Sequence, residues 1–306
     1  MPMRATEIKM LGKRALMIAA LAALVSLSTR AQSTNSKSSA GANTSEAAKT
    51  LKVAAEAVGL ARWSGVGGQR LPEVDVINTM EIWGSGTTYG SGQSTKPGEP
   101  GPAFKTDYHV ALGYNPPAMR VEMTRTGSGG AAPQHTIEVV RDTYAWDESE
   151  IGAGLVAGKG TATPAMAAVN NRLLQLWILP YGVIKSALAA GDKTKVTTEN
   201  GATVIAFPLS GTLAGVTVKA TLDAQNEVAK VETHADNPAL AELNTETEYS
   251  DYADHGEILT DVKSPGHIVR KQNGHTVLDI KVKTLDANNP YLVFPVPGDI
   301  KKVAAD

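Results

Sequence analysis

The chain has 306 residues, 42% hydrophobic and 20% charged, with 29 glycines, 16 prolines and a formal net charge of −2. This composition suits one large or two small globular domains. It contains no cysteine, which excludes a lipidated cysteine anchor, a disulfide, thiol catalysis and a cysteine-based zinc site within it.

Met1 to Ala31 reads as a secretory signal. Arg4, Lys9, Lys13 and Arg14 form a basic start, and Ala15 to Ser28 is an uncharged, mostly apolar run too short to span a bilayer comfortably. Thr29-Arg30-Ala31 then presents small residues around a cleavage site before Gln32. A periplasmic or secreted protein is expected, not integral to a membrane after cleavage. Removing 1–31 takes away five of the 29 basic and one of the 31 acidic residues, leaving a net charge of −6. A mildly acidic surface with no basic block argues against nucleic acid and against an anionic membrane surface.

Residues 32–45 are mostly Ser, Asn, Thr, Ala and Gly and read as a disordered spacer. A helix is predicted over 46–60, with Leu51, Ala54, Ala55 and Val58 on one face, ended by Gly59 and the glycines beyond it. Strands are predicted over 74–83, 106–112, 119–126, 136–146, 196–198, 203–208, 216–223, 227–233 and 244–252. Two long loops, 84–103 and 127–133, separate early strands. One helical block interrupts the strands. Thr163 suits an N-cap and Pro164 the first helical position, and Met166, Val169, Leu173, Leu176 and Trp177 recur at helical spacing. Pro180 opens a second helix that Gly191 stops.

His267, His275 and Asp279 raise the question of a metal site. Asn273-Gly274 is a two-residue turn signal. With those residues as the turn, Val269 faces Leu278 and His267 faces Ile280. That register puts the histidines on opposite faces and lets Arg270 meet Asp279 diagonally. "GAGLVAGKGT" (152–161) lacks the spacing of a phosphate-binding loop, and "EYSDYADHGE" (248–257) lacks that of a calcium loop. His109, His135 and His234 are scattered, and no zinc-protease or nucleophile-elbow motif is present. No catalytic residue, metal or cofactor is assigned. The remaining features are aromatic. Trp83, Trp146, Trp177 and Tyr181 lie where helix should meet sheet, and read either as core or as the lining of an apolar cleft.

The segments "NRLLQLWILPYGVIKSALAA" (171–190) and 223–282, with "EYSDYADHGEILTDVKSPGHIVRKQNGHTVLDIKV" at the end of the latter, resemble the region that precedes the catalytic domain in certain exported metallo-β-lactamase-fold hydrolases. The resemblance covers 54–296. The zinc motif of that family, His-x-His-x-Asp-His, follows this region and is missing here, so no site residue is carried over. Where the family usually has Phe-Pro, this chain has Lys263-Ser264-Pro265. The order of elements also resembles the outer-membrane lipoprotein carrier fold, in which a half-open barrel holds acyl chains against helices.

The expected fold is α+β and mostly β: a curved antiparallel sheet, half-barrel-like, with an N-terminal helix and a two-helix insertion on one face. The expected organisation is a signal (1–31), a spacer (32–45), one β-rich domain (46–296) and a linker or tail (297–306). Two functions stay open. One is an exported non-catalytic domain that holds a lipid or other hydrophobic small molecule, or docks a partner domain, between sheet and helices. The other is the accessory part of a split or truncated zinc hydrolase, partnered by a separate hydrolase domain.

Overall fold

The computed structural model describes residues 46–60, 62–63, 70–71, 77–90, 101–128, 130–236, 243–255 and 262–303. The expected signal, cleavage site and spacer lie outside the described residues, as does the start of the strand expected over 74–83.

Helix α1 spans residues 46–57. Its Leu51, Ala54 and Ala55, with Val58 just beyond, are buried in the main core. Strands β1 (Arg62–Trp63) and β2 (Arg70–Leu71) form a small separate pair. The first arm of the main sheet comprises β3 (Thr79–Tyr89), β4 (Ala103–Tyr114), β5 (Pro117–Gly127), β6 (Gln134–Arg141), β7 (Tyr144–Glu148) and β8 (Ala162–Pro164). Helices α2 (Val169–Trp177) and α3 (Pro180–Ala190) follow. The second arm comprises β9 (Lys195–Glu199), β10 (Ala202–Pro208), β11 (Val216–Leu222), β12 (Val228–Ala235), β13 (Thr245–Ser250), β14 (His267–Gln272) and β15 (His275–Ala287). A short helix, α4, spans Gly298–Val303.

The main sheet is antiparallel throughout and has thirteen strands in the order β8-β7-β6-β5-β4-β3-β15-β14-β13-β12-β11-β10-β9. It is open and curved. Two meanders are joined at the β3–β15 pair. This topology explains the helices. The edge strands β8 and β9 are neighbours in sequence, so the chain between them must travel from one edge of the sheet to the other. It does so through α2 and α3, with α2 packing against β5, β6 and β7 and α3 against β10. The two helices meet at a bend of 95°. Leu179 is extended and Pro180, which lacks an amide proton, occupies the first turn of α3. Gly182 completes the corner, because a Cβ there would lie 2.5 Å from Leu176 O and 2.9 Å from Trp177 Cα. Among the described residues no single helix is long and apolar enough to cross a membrane.

Strand alternation sorts the two faces. On β5, Met119, Val121 and Met123 turn inward to the main core, where they meet buried Leu173, Leu174, Leu176, Tyr181, Val183 and Ile184 of the helices. The outer face carries smaller clusters. Ile137, Val139 and Trp146 pack with Ile300, and Ala111 and Ala118 with Phe294. The C-terminal stretch, read from sequence as a linker or tail from 297, therefore crosses the outer face and buries Ile300 there.

Arg172 fastens α2 to the first arm. It donates from Nη1 to Val139 O (3.0 Å) and Trp146 O (2.8 Å), and from Nη2 to Asp147 Oδ1 (2.5 Å). Its Nε lies 3.7 Å from Glu138 Oε2.

Four local expectations are corrected. The strand expected over 136–146 is a hairpin, because Asp142 takes a left-handed conformation (φ 51°) and turns the chain. Thr163 and Pro164 belong to β8, where Thr163 pairs with Asp147 and Pro164 sits at the sheet edge, which tolerates a missing amide. Helix α2 starts later, without a side-chain cap. Residues 84–89 of the loop expected over 84–103 belong instead to β3, where Gly84 and Gly86 continue the strand. In the last hairpin the Gln272–His275 and Lys271–Thr276 pairs hold, but a register shift follows, so that Arg270 faces Leu278 and Val269 faces Asp279. Asp279 thus joins the face of His267 and accepts a 2.7 Å hydrogen bond from its Nε2. Arg270 turns inward and donates to Gln175 Oε1 (2.9 Å).

Burial pushes the phenols of Tyr108, Tyr114, Tyr181, Tyr249 and Tyr252 above their ordinary range. Three of them donate to backbone carbonyls that join separate elements: Tyr181 to Lys263 O, Tyr249 to Ile178 O (2.8 Å) and Tyr252 to Val228 O (2.8 Å). With folded values above the unfolded value of about 10, the unfolded chain releases protons first as pH rises. Stability is then full below that value and lost above it. Absorbance at 295 nm and far-ultraviolet circular dichroism, followed from pH 8 to 12.5, are expected to change together in one steep transition above pH 10. Full ionisation of these tyrosines with the dichroism intact would contradict the burial argument.

Candidate binding cleft

The space between sheet and helices is largely filled by the protein's own side chains. At one end of the fold it opens into a cleft of about 850 Å³. One wall comes from the first arm: Tyr114, Asn115 and Pro117 at the β4–β5 turn, and Asp142 and Thr143 at the β6–β7 turn. The opposite wall is the β10–β11 connection, Pro208 to Leu213. Leu173 and Trp177 of α2 and Lys185, Ser186, Leu188, Ala189 and Ala190 of α3 complete it, with Lys193 at the rim.

The local sequence accounts for this arrangement. Val183, Ile184 and Ala187 face the core, so helical spacing turns Lys185, Ser186, Leu188 and Ala189 toward the opening. The half-buried Trp177 ring packs on the buried Tyr114 ring, with centroids 5.7 Å apart and tilted by 44°. The Lys185 ammonium sits 5.1 Å from the Tyr114 ring centroid, within cation–π range. Burial raises the Tyr114 phenol, the neighbouring Tyr249 adds to this, and the Gly182 amide works in the other direction. Leu173, Leu209 and Leu213 supply the apolar floor. Asp142 is the acidic side chain of the lining, and Arg141 Nε lies 3.6 Å from its Oδ2.

Of the four aromatics singled out from sequence, only Trp177 lines this cleft. Tyr181 is fully buried in the main core. Trp146 is buried on the outer face, where its Nε1 donates to Glu148 Oε1 (2.9 Å). Trp83 stacks on His109 with ring centroids 4.8 Å apart. The last two point away from the helices because each has the outward strand parity.

The His109 side chain belongs to a polar chain along the sheet. It contacts Glu81 (3.3 Å) and Glu122 (3.5 Å), and Glu122 contacts His135 (3.5 Å). Among the described residues no group of three or more His, Asp or Glu side chains is placed to hold a metal ion. His275 pairs with Gln272 at the hairpin end, with strand parity opposite to that of His267.

Sequence reasoning missed Tyr114, Lys185, Lys193, Leu209 and Leu213. One signal was available: Leu188 is an apolar residue on the otherwise polar stripe of α3, and it remains 36% exposed. Sequence comparison gives no match to any protein-family model or curated protein. The fold and the cleft therefore carry the functional reading: an open antiparallel half-barrel crossed by a bent helix pair, with an aromatic-walled cleft at one end.

Proposed function

We propose that this chain is an exported, non-catalytic binding protein that takes an apolar ligand into the cleft between the helix pair and the ends of the two sheet arms. The observation that carries this reading is the lining itself. Trp177, Tyr114, Leu173, Leu209 and Leu213 gather in an open space of about 850 Å³, within the range of small-molecule sites. These apolar groups share the lining with polar side chains such as Asn78, Asn115, Thr143, Ser186 and Thr212, a mixture that suits recognition by burial of apolar surface, worth about 25 cal/mol per Å², with polar groups to fix orientation. The leader-like Met1–Ala31 segment supports export.

Uptake of the neutral dye N-phenyl-1-naphthylamine tests the reading. Saturable binding of one dye per chain, with quenching of tryptophan emission, is expected. Trp177→Ala should weaken it by roughly tenfold, about the contribution of one buried aromatic contact. Leu188→Glu provides a second test at a partly exposed position, by adding a charge to the lining without disturbing the core. No saturable uptake by the folded, delipidated protein would overturn the proposal.

A further inference from the structure

The two edges of the main sheet are built differently. Edge strand β8 has three residues and ends on Pro164, which has no amide to offer a further strand. The other edge, β9, is a regular five-residue strand that pairs with β10 without a register shift. Among the described residues no strand pairs with its outer side. Val196, Thr197 and Thr198 at its centre are β-branched, which favours extended pairing. The strand has no proline, no bulge and no inward-pointing charge, so it lacks the usual devices that keep a sheet edge from pairing. Val196 packs on the main core and Thr198 shares its parity, whereas Lys195, Thr197 and Glu199 face outward. A cation at one end of the outward set and a carboxylate at the other make the strand complementary to itself when run antiparallel.

We infer that β9 pairs antiparallel with β9 of a second copy of this chain, about a two-fold axis at Thr197. Facing residues must share a side of the sheet, so the pairing is symmetrical about one residue. Centred on Thr197, it sets Lys195 of each copy opposite Glu199 of the other. Thr197 then faces its own counterpart outside, and Val196 faces Thr198 inside. Glu199 already accepts a 2.7 Å hydrogen bond from Lys219, but its side chain is 47% exposed. An ammonium arriving from the open side therefore extends that pair and does not replace it. Main-chain hydrogen bonds supply the attraction, and the charged ends fix the register. A strand this short makes a small interface, so the association is weak. Neither Lys195 nor Glu199 lines the cleft, and the pairing is independent of what the cleft holds.

Sedimentation equilibrium of the purified chain tests the pairing, over about 10 to 500 µM, a range suited to a small interface. The mass is expected to rise with concentration from one chain toward two. Lys195→Glu would set glutamates opposite each other twice per dimer, and Glu199→Lys would do the same with lysines. Each should weaken association by about tenfold or more, with the circular dichroism unchanged. An equimolar mixture of the two variants should recover wild-type association to within about threefold, because every facing pair is then of opposite sign. A single-chain mass throughout would overturn the inference. So would association that survives both single substitutions, which would put the interface elsewhere. A mixture that associates no more tightly than its components would overturn it as well, by removing the Lys195–Glu199 register.

Discussion

Gly86→Ala is expected to lower the unfolding free energy by about 3 kcal/mol or more, the upper end of the cost of forcing extra volume into a packed site. Gly86 pairs with Ile280 where β3 meets β15, the only ladder joining the two meanders among the described residues. A Cβ at this position would overlap the Asp279 carbonyl oxygen and lie 3.0 Å from the Ile280 Cα. Both are backbone atoms, so no side-chain rotamer can relieve the contact and the strands themselves must separate. Gly298→Ala supplies the control, since nothing lies within 4 Å of a Cβ there. Its effect should stay within about 0.5 kcal/mol, as for ordinary surface changes. Urea unfolding of both variants decides the matter. Equal midpoints would show that the β3–β15 junction tolerates widening and that the curvature of the sheet does not depend on that close approach.

The same junction shows why the fold was legible from sequence and the cleft was not. Alternating hydrophobicity in segments such as Met119 to Met123, with turn residues between segments, identifies an antiparallel meander without knowledge of which strands are central. The helix pair was equally readable from the spacing of Val169, Leu173, Leu176 and Trp177 and from Pro180. The failures have local physical causes. Glycine-rich sequence around position 86 resembles a loop until β15 is placed against it. A left-handed Asp142 converts one apparent strand into a hairpin. A single register shift in β15 exchanges the partners of Asp279 and Arg270. The aromatic set failed for a similar reason. Trp83 and Trp146 are correctly placed on strands, but which face each occupies depends on register and on turns that composition does not reveal. The cleft is assembled from three turns and a helix rim far apart in sequence, so no local pattern marks it, and the placement of Lys185 over the Tyr114 ring is visible only in the folded chain.

Arg172→Ala should destabilise the protein by about 3 kcal/mol, in line with removing one member of a buried charged network. The Arg172 side chain is only 8% exposed. Its loss would leave the Val139 and Trp146 carbonyls, both strand groups facing α2, without their charged donor. Asp147 contributes less to this cost because its side chain is 52% exposed and can return to water. Asp147→Asn is therefore expected to cost under about 1 kcal/mol. Arg172→Met separates packing from hydrogen bonding: it keeps an unbranched apolar stem against β6 and β7, and should recover part of the stability lost with alanine. It should not recover ligand uptake to the same degree. Leu173 and Trp177 are carried into the cleft by the helix that Arg172 fixes, so a looser α2 misplaces both even in a folded protein. A folded Arg172→Met protein is expected to bind N-phenyl-1-naphthylamine several-fold more weakly than wild type, with the deficit larger than that of Asp147→Asn. Wild-type dye affinity in Arg172→Met would mean that hydrophobic packing alone positions the cleft. The buried guanidinium would then contribute to stability and not to the shape of the binding site.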